Sequence, residues 1–185
     1  MLSKVITGNP GVGKHTVAKQ IAKNLKLELV DINKIAIENS TFVKGKETLD
    51  VDTKDLQKIL DKKITKHSLI VGHLAPYVLP RNKIQMVVVL RKSPYKLISI
   101  YKKRNYSKQK TIENLGSEIL GITFYDAVKK FGPSKTHQID TSFSSVSKVV
   151  KKIETLFEKG KFQEDQVDWL GLISKKGDLK RFFPY

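Results

Sequence analysis

Apolar residues along this chain follow two alternating rhythms: short unbroken runs, and longer stretches where they recur every three or four positions. The first run, residues 4–7, is β-branched and ends at Gly8. From Lys14 onward Val17, Ile21 and Leu25 recur at four-residue spacing, which predicts a strand, a glycine loop and a helix in that order. A second strand is expected over residues 27–32, then a polar stretch to Lys66 in which Leu56, Ile59 and Leu60 mark a helix. Residues 69–71 and 84–90 read as strands. The uninterrupted apolar run from Met86 to Leu90 has the composition of a parallel strand covered on both faces.

Ser93 and Pro94 supply an N-cap and a first-turn proline for a helix reaching about Lys103, with Leu97, Ile98 and Tyr101 on its apolar face. The polar segment 105–110 interrupts it. Helical spacing returns as one pattern through Ile112, Leu115, Ile119, Ile122 and Val128, and Gly132-Pro133 stops it. A short strand at 137–140 and an amphipathic helix bearing Val146, Val149, Val150, Ile153 and Leu156, closed near Gly160, complete the pattern. Strands alternating with helices, without internal repeats, predict a doubly wound α/β sheet. The tail, 162–185, carries Trp169, Leu170, Leu172, Phe182 and Phe183 among charges and is expected to pack back on the core, a partner surface being the alternative.

At 185 residues the chain is sized for one domain spanning its whole length. It has no cysteine, which excludes a disulfide framework, a thiol nucleophile and a cysteine-ligated zinc. No apolar stretch has the length of a signal peptide or membrane span, so a soluble, cytoplasmic protein is expected. Thirty-five Lys and Arg against 18 Asp and Glu give a net charge of +17, which draws phosphate polyanions at long range. RNA or a ribonucleoprotein is therefore a candidate partner, a merely solvated lysine-rich surface the alternative.

Gly8-Asn9-Pro10-Gly11-Val12-Gly13-Lys14 matches G-x-x-x-x-G-K between an expected strand and an expected helix, the setting a phosphate-binding loop needs. Glycines let successive backbone N–H groups converge on a phosphate at a helix N-terminus, and Lys14 adds a mobile positive charge. The next residue is His15, followed by Thr16, where most such loops place Ser or Thr for Mg²⁺. Neutral imidazole is a poor ligand for a hard cation. Adenylate kinases, whose loop reads G-x-P-G-x-G-K-G-T, also lack a hydroxyl there, and Pro10 matches theirs. The expectation is Mg²⁺ held mainly by phosphates and water, without a dedicated protein metal site, and a His15 that offers its backbone N–H while its ring is solvated.

Over about residues 1–158 the chain resembles the adenylate kinase isoenzyme 6 family. The family's GTPGVGK stands here as GNPGVGK, and its V-V-L-R strand end as Val88-Val89-Leu90-Arg91. Its lid pattern is similar to Arg104-Asn105-Tyr106, Lys110, Glu113-Asn114 and Glu118. The resemblance implies a nucleoside-monophosphate kinase fold: a parallel five-stranded sheet with helices on both faces, a monophosphate-binding segment at about 30–53 and a short lid at about 103–113. It implies transfer of the γ-phosphoryl of ATP, with Mg²⁺, to AMP, together with ATPase activity and a role in small ribosomal subunit maturation. A small-subunit ribosomal protein and pre-rRNA are then expected partners. An ATPase-driven assembly factor and a nucleotide-gated RNA-binding module are the alternatives.

Carried over by position, Gly8, Gly11, Val12, Gly13, Lys14, His15 and Thr16 hold the ATP phosphates, with Arg104 closing from the lid; Lys14, Arg104 and His73 form the catalytic set. Arg91 or Arg81 is a further candidate for neutralising the transferred group. The family's D-x-H stands here as Val71-Gly72-His73. The aspartate is missing; another carboxylate, such as Asp31 at the end of the second strand, assisting the metal and a metal shell made mostly of water are the two alternatives, and His73 stays open between orienting a nucleophile and satisfying a buried carbonyl. Leu49-Asp50-Val51-Asp52 resembles the family's L-D-x-D, but capping of the following helix by Asp52 or Thr53 is the preferred reading. His67 and His137 are expected to be structural or solvated.

Overall fold

The computed structural model describes residues 2–39, 42–44, 49–160 and 163–184. Strand β1 (Ser3–Thr7) leads through the glycine loop into α1 (Lys14–Asn24); β2 (Glu28–Asp31) runs into α2 (Ile32–Glu38); β3 (Phe42–Lys44) and β4 (Leu49–Val51) precede α3 (Thr53–Lys63). Then come β5 (Ser68–Val71), α4 (Ala75–Val78), β6 (Ile84–Arg91), α5 (Pro94–Lys103), α6 (Lys108–Ile119) and α7 (Ile122–Phe131). The chain closes with β7 (Thr136–Asp140), α8 (Val146–Lys159), α9 (Trp169–Lys175) and α10 (Leu179–Phe182). Five strands form one sheet in the order β2-β5-β1-β6-β7, and every pairing in it is parallel. This is the expected doubly wound α/β architecture.

Period-two alternation sorts the strand residues into two cores. Val5, Ile70, Val87 and Val89 face one side, where Leu56 and Leu60 of α3 and Ala127 and Phe131 of α7 cover them. Ile6, Leu69, Val71, Val88 and Leu90 face the other, under Val17, Ala18 and Ile21 of α1 and Val149, Val150 and Ile153 of α8. A third cluster joins Leu97 and Tyr101 of α5, Leu115 and Ile119 of α6, and Trp169, Ile173 and Phe182 of the tail. The tail thus packs on the core as two short helices. Phe162 and Tyr185 lie outside the described residues.

Three features differ from the sequence pattern. The strand expected over 27–32 stops at Asp31, whose carboxylate accepts from the backbone N–H of Asn33 (3.0 Å) and Lys34 (3.3 Å) and so starts α2. The polar stretch holds an antiparallel pair, Phe42 opposite Val51 and Lys44 opposite Leu49, too short for a pattern to emerge. Of the expected monophosphate segment 30–53, residues 40, 41 and 45–48 lie outside the described residues, as do the side chains of Leu49, Asp50 and Val51. Finally, the single helical pattern from Ile112 to Val128 is two helices, because Gly121 takes φ 67° between them. Asp52 caps α3, accepting from Lys54 N (2.9 Å) and Asp55 N (3.1 Å), as the preferred reading of that segment held.

Candidate functional site

In a parallel sheet every strand delivers its following loop to the same end, so the loops after β1, β5, β6 and β7 meet above the sheet. The β1 loop is the glycine motif. Gly8 sits at φ 136°, and a Cβ there would lie 2.4 Å from the carbonyl oxygen of Leu90, so only glycine lets the chain turn against β6. Gly13, at φ 97°, starts α1. Neighbouring hydroxyls fix the loop from outside: Tyr101 Oη donates to the Pro10 carbonyl (2.8 Å) and Thr141 Oγ1 to the Val12 carbonyl (3.0 Å). Both carbonyls are thereby engaged by partners from α5 and from the loop after β7.

Beside the loop is a cavity of about 400 Å³ whose lining includes Gly11, Gly13, Lys14, His15, Thr16, His73 and Arg104. The structure therefore brings together both parts of the expected catalytic set, loop and lid. Gly8 and the buried side chain of Val12 stand behind the loop rather than in the cavity. Lys14 is only 5% exposed, and its Nζ donates to the carbonyl of Asn9 at 3.3 Å. Burial, reinforced by the Arg104 charge and only partly offset by Asp31, lowers its pKa to about 8. The ammonium thus lacks a full counter-charge, the condition an incoming polyanion would relieve.

His73 follows the last strand residue of β5 by two positions. Burial first, then Lys14, His15 and Lys110, push its pKa down to about 4, so its ring is neutral at physiological pH. The His15 ring, expected to be solvated, is paired: Nε2 lies 3.1 Å from Asp31 Oδ2. Asp31 is spent on that contact and on capping α2, and among the described residues no three His, Asp or Glu side chains converge as a metal site. This donor set fits a cation that arrives already coordinated by phosphates and water.

The segment expected as the lid is one turn and the start of α6. Arg104 caps α5 and is exposed, Asn105 takes φ 53°, and Ser107 Oγ accepts from Lys110 N (3.2 Å) to begin α6. Tyr106 stacks on Tyr101 with ring centroids 5.3 Å apart, and Lys110 Nζ sits 4.5 Å above the Tyr106 ring. Tyr106, Lys110 and Asn114 line the cavity from this side, and Asn33 of α2 from the other.

A family model described as an AAA domain matches residues 5–121. A protein of Pyrococcus furiosus named "Putative adenylate kinase" is 33% identical over 167 residues, covering 89% of both chains, and one of Thermococcus onnurineus with the same name is 27% identical over 166 residues. The chain belongs to this family of adenylate-kinase-like P-loop kinases. Among solved structures, a shikimate kinase from Acinetobacter baumannii in complex with shikimate superposes with TM-score 0.61 at 16% identity, covering 88% of this chain and 96% of that one. A gluconokinase from Sinorhizobium meliloti gives TM-score 0.52 at 12% identity, covering 100% and 98%. These two show the kinase fold alone.

Two arginines of this kinase are not where the sequence reading put them. Arg91 is 3% exposed and faces away from the cavity: Nε donates to Glu118 Oε1 (2.8 Å), Nη1 to Gln138 Oε1 (3.0 Å) and Nη2 to the Glu118 carbonyl (2.7 Å). Arg81 precedes the first residue of β6, at the opposite end of the parallel sheet from the loop. Conversely, Tyr101, Thr141, Asn9 and Glu118 shape the loop without having been singled out for it. Glu118 had one legible signal, a carboxylate beside Leu115 and Ile119 on the apolar face of a helix, which demands a buried partner. His67 is exposed and His137 half-buried in β7, neither in the cavity.

Proposed function

We propose that this kinase transfers the γ-phosphoryl group of MgATP to a nucleoside monophosphate, AMP being the acceptor that its relatives' name suggests. The observation that carries the reading is the composition of the cavity: Lys14, Arg104 and Lys110 converge on it with the glycine loop, and among the described residues no carboxylate lines it. An alcohol acceptor needs its proton removed, and among the described residues the lining imidazoles are the neutral, weakly basic His73 and the Asp31-paired His15. A monophosphate oxygen is already a nucleophile. Such a transfer depends on positioning and charge stabilisation, which this site is built to supply.

In this mechanism the loop amides cradle the β-phosphate, and the Lys14 ammonium follows the bridging and γ-oxygens as charge moves onto them. Arg104 forks onto the transferred group from the lid, whose closure excludes water. His73, neutral, orients the acceptor phosphate by a hydrogen bond. Mg²⁺ enters with ATP as part of the substrate, and Thr16 and the His15–Asp31 pair are the side chains that would hold its water shell. The +17 charge favours a second reading, an ATPase that serves the assembly of an RNA–protein particle. Initial rates with MgATP and a panel of AMP, dAMP, CMP and shikimate separate the two. The kinase reading expects ADP formation to rise at least tenfold with a monophosphate and not with shikimate; turnover indifferent to every acceptor would sink it.

A further inference from the structure

Glu118 is fully buried, yet its carboxylate is enclosed by four donors from three separate parts of the chain. Oε1 accepts from Arg91 Nε (2.8 Å), the backbone N–H of Lys92 (3.0 Å) and Trp169 Nε1 (3.0 Å); Oε2 accepts from Asn9 Nδ2 (2.8 Å). Asn9 belongs to the glycine loop, but its side chain is buried behind the cavity. Its Oδ1 takes two more hydrogen bonds, from Ser117 Oγ (3.1 Å) and Thr123 Oγ1 (3.1 Å). Its backbone carbonyl is the one against which the Lys14 ammonium rests. A continuous polar chain therefore runs from Trp169, at the first turn of the tail helix α9, through Glu118 and Asn9 to Lys14.

Helix α6 links this polar chain to the cavity. Its first turns carry Lys110 and Asn114 into the cavity, and its last turn carries Ser117 and Glu118 beneath Asn9. Tail helices α9 and α10 close over the same helix through Trp169, Ile173 and Phe182. Inside a low-dielectric core a hydrogen bond to an ionised carboxylate is strong and directional, so losing one donor changes where the remaining partners sit.

We propose that the tail is a latch for the phosphate loop: Trp169 and Glu118 are positioning residues that act through Asn9 on Lys14. The inference rests on the reading of the cavity as the ATP site. Trp169→Phe isolates it, because the ring continues to fill its place while the Nε1–H donor is lost. Affinity for a non-hydrolysable MgATP analogue is measured by calorimetry for the native protein, Trp169→Phe, Asn9→Ala and the double variant, with circular dichroism confirming that each is folded. The hydrogen bond to a charged group predicts about tenfold weaker binding for Trp169→Phe. In the Asn9→Ala background the same change should shift affinity less than about twofold, since the route to the loop is already cut. An equal effect in both backgrounds, or none in either, overturns the latch while leaving the ATP site intact. A native protein that does not bind the analogue overturns the site reading and the latch with it.

Discussion

Raising the pH from 7 to 9 should weaken nucleotide binding, with the Lys14 ammonium as the cause. In the free protein burial and Arg104 lower its pKa to about 8, against an ordinary value of 10.5. A bound triphosphate supplies the missing counter-charge and returns it toward the ordinary value. That difference corresponds to roughly 3 kcal/mol of binding free energy that depends on the lysine being charged. The sign follows: below pH 8 the lysine is already protonated and binding costs nothing extra, while above it binding must recruit a proton. Affinity should fall about tenfold between pH 7 and pH 9, with uptake of about 0.9 proton per nucleotide at pH 9 and about 0.1 at pH 7. The second phosphate ionisation, near 6, lies below this window. Calorimetry in two buffers of different ionisation enthalpy measures both quantities. Lys14→Met should bind weakly and without the slope. An affinity flat from pH 7 to 9 in the native protein, or a slope that survives in Lys14→Met, would refute the reasoning.

Three further outcomes follow from the same geometry. Gly8→Ala places a Cβ 2.4 Å from the Leu90 carbonyl at φ 136°, and should cost roughly 3 kcal/mol or more in denaturant unfolding; native stability would contradict the loop path. Arg104→Ala should lower kcat about a hundredfold with a much smaller change in KM for ATP, as expected of a group that grips the transferred phosphoryl; a raised KM with kcat unchanged would make it a binding residue. His73 has its pKa lowered to about 4 from 6.5, so protonation opposes folding: the effect is absent above pH 6.5 and grows as pH falls toward 4. Thermal unfolding between those values should drop more steeply in the native protein than in His73→Gln, and parallel curves would remove His73 from the acid response.

Much of this fold was legible because the strands are buried on both faces. The runs at β1, β5 and β6 have no other stable home than a covered parallel sheet, and the glycine loop between β1 and α1 announces its own place. The elements that stayed hidden are those whose cause is a single contact: Asp31 ending β2, Gly121 dividing α6 from α7, and a three-residue strand pair inside a polar stretch. The site divides the same way. Lys14, Arg104 and His73 were placed by motif and by resemblance, and the structure lines one cavity with them. Arg91 was misread because a strand-end arginine looks the same in sequence whether it faces phosphate or a carboxylate. Only the fold brings Glu118, 27 residues further along the chain, within 2.8 Å of it. His15 was misread for a similar reason, its partner Asp31 being supplied by the end of β2, which β5 separates from β1 in the sheet.

The claim that matters most is that the cavity passes a phosphoryl group between two nucleotides. Supplying the protein with MgADP alone tests it without any choice of acceptor, because a nucleoside-monophosphate kinase for AMP must run backward. Phosphorus NMR should show ATP and AMP appearing in equal amounts until equilibrium, and Lys14→Met should produce neither. If ADP persists unchanged, or gives AMP and inorganic phosphate without ATP, the account of AMP as the acceptor is wrong.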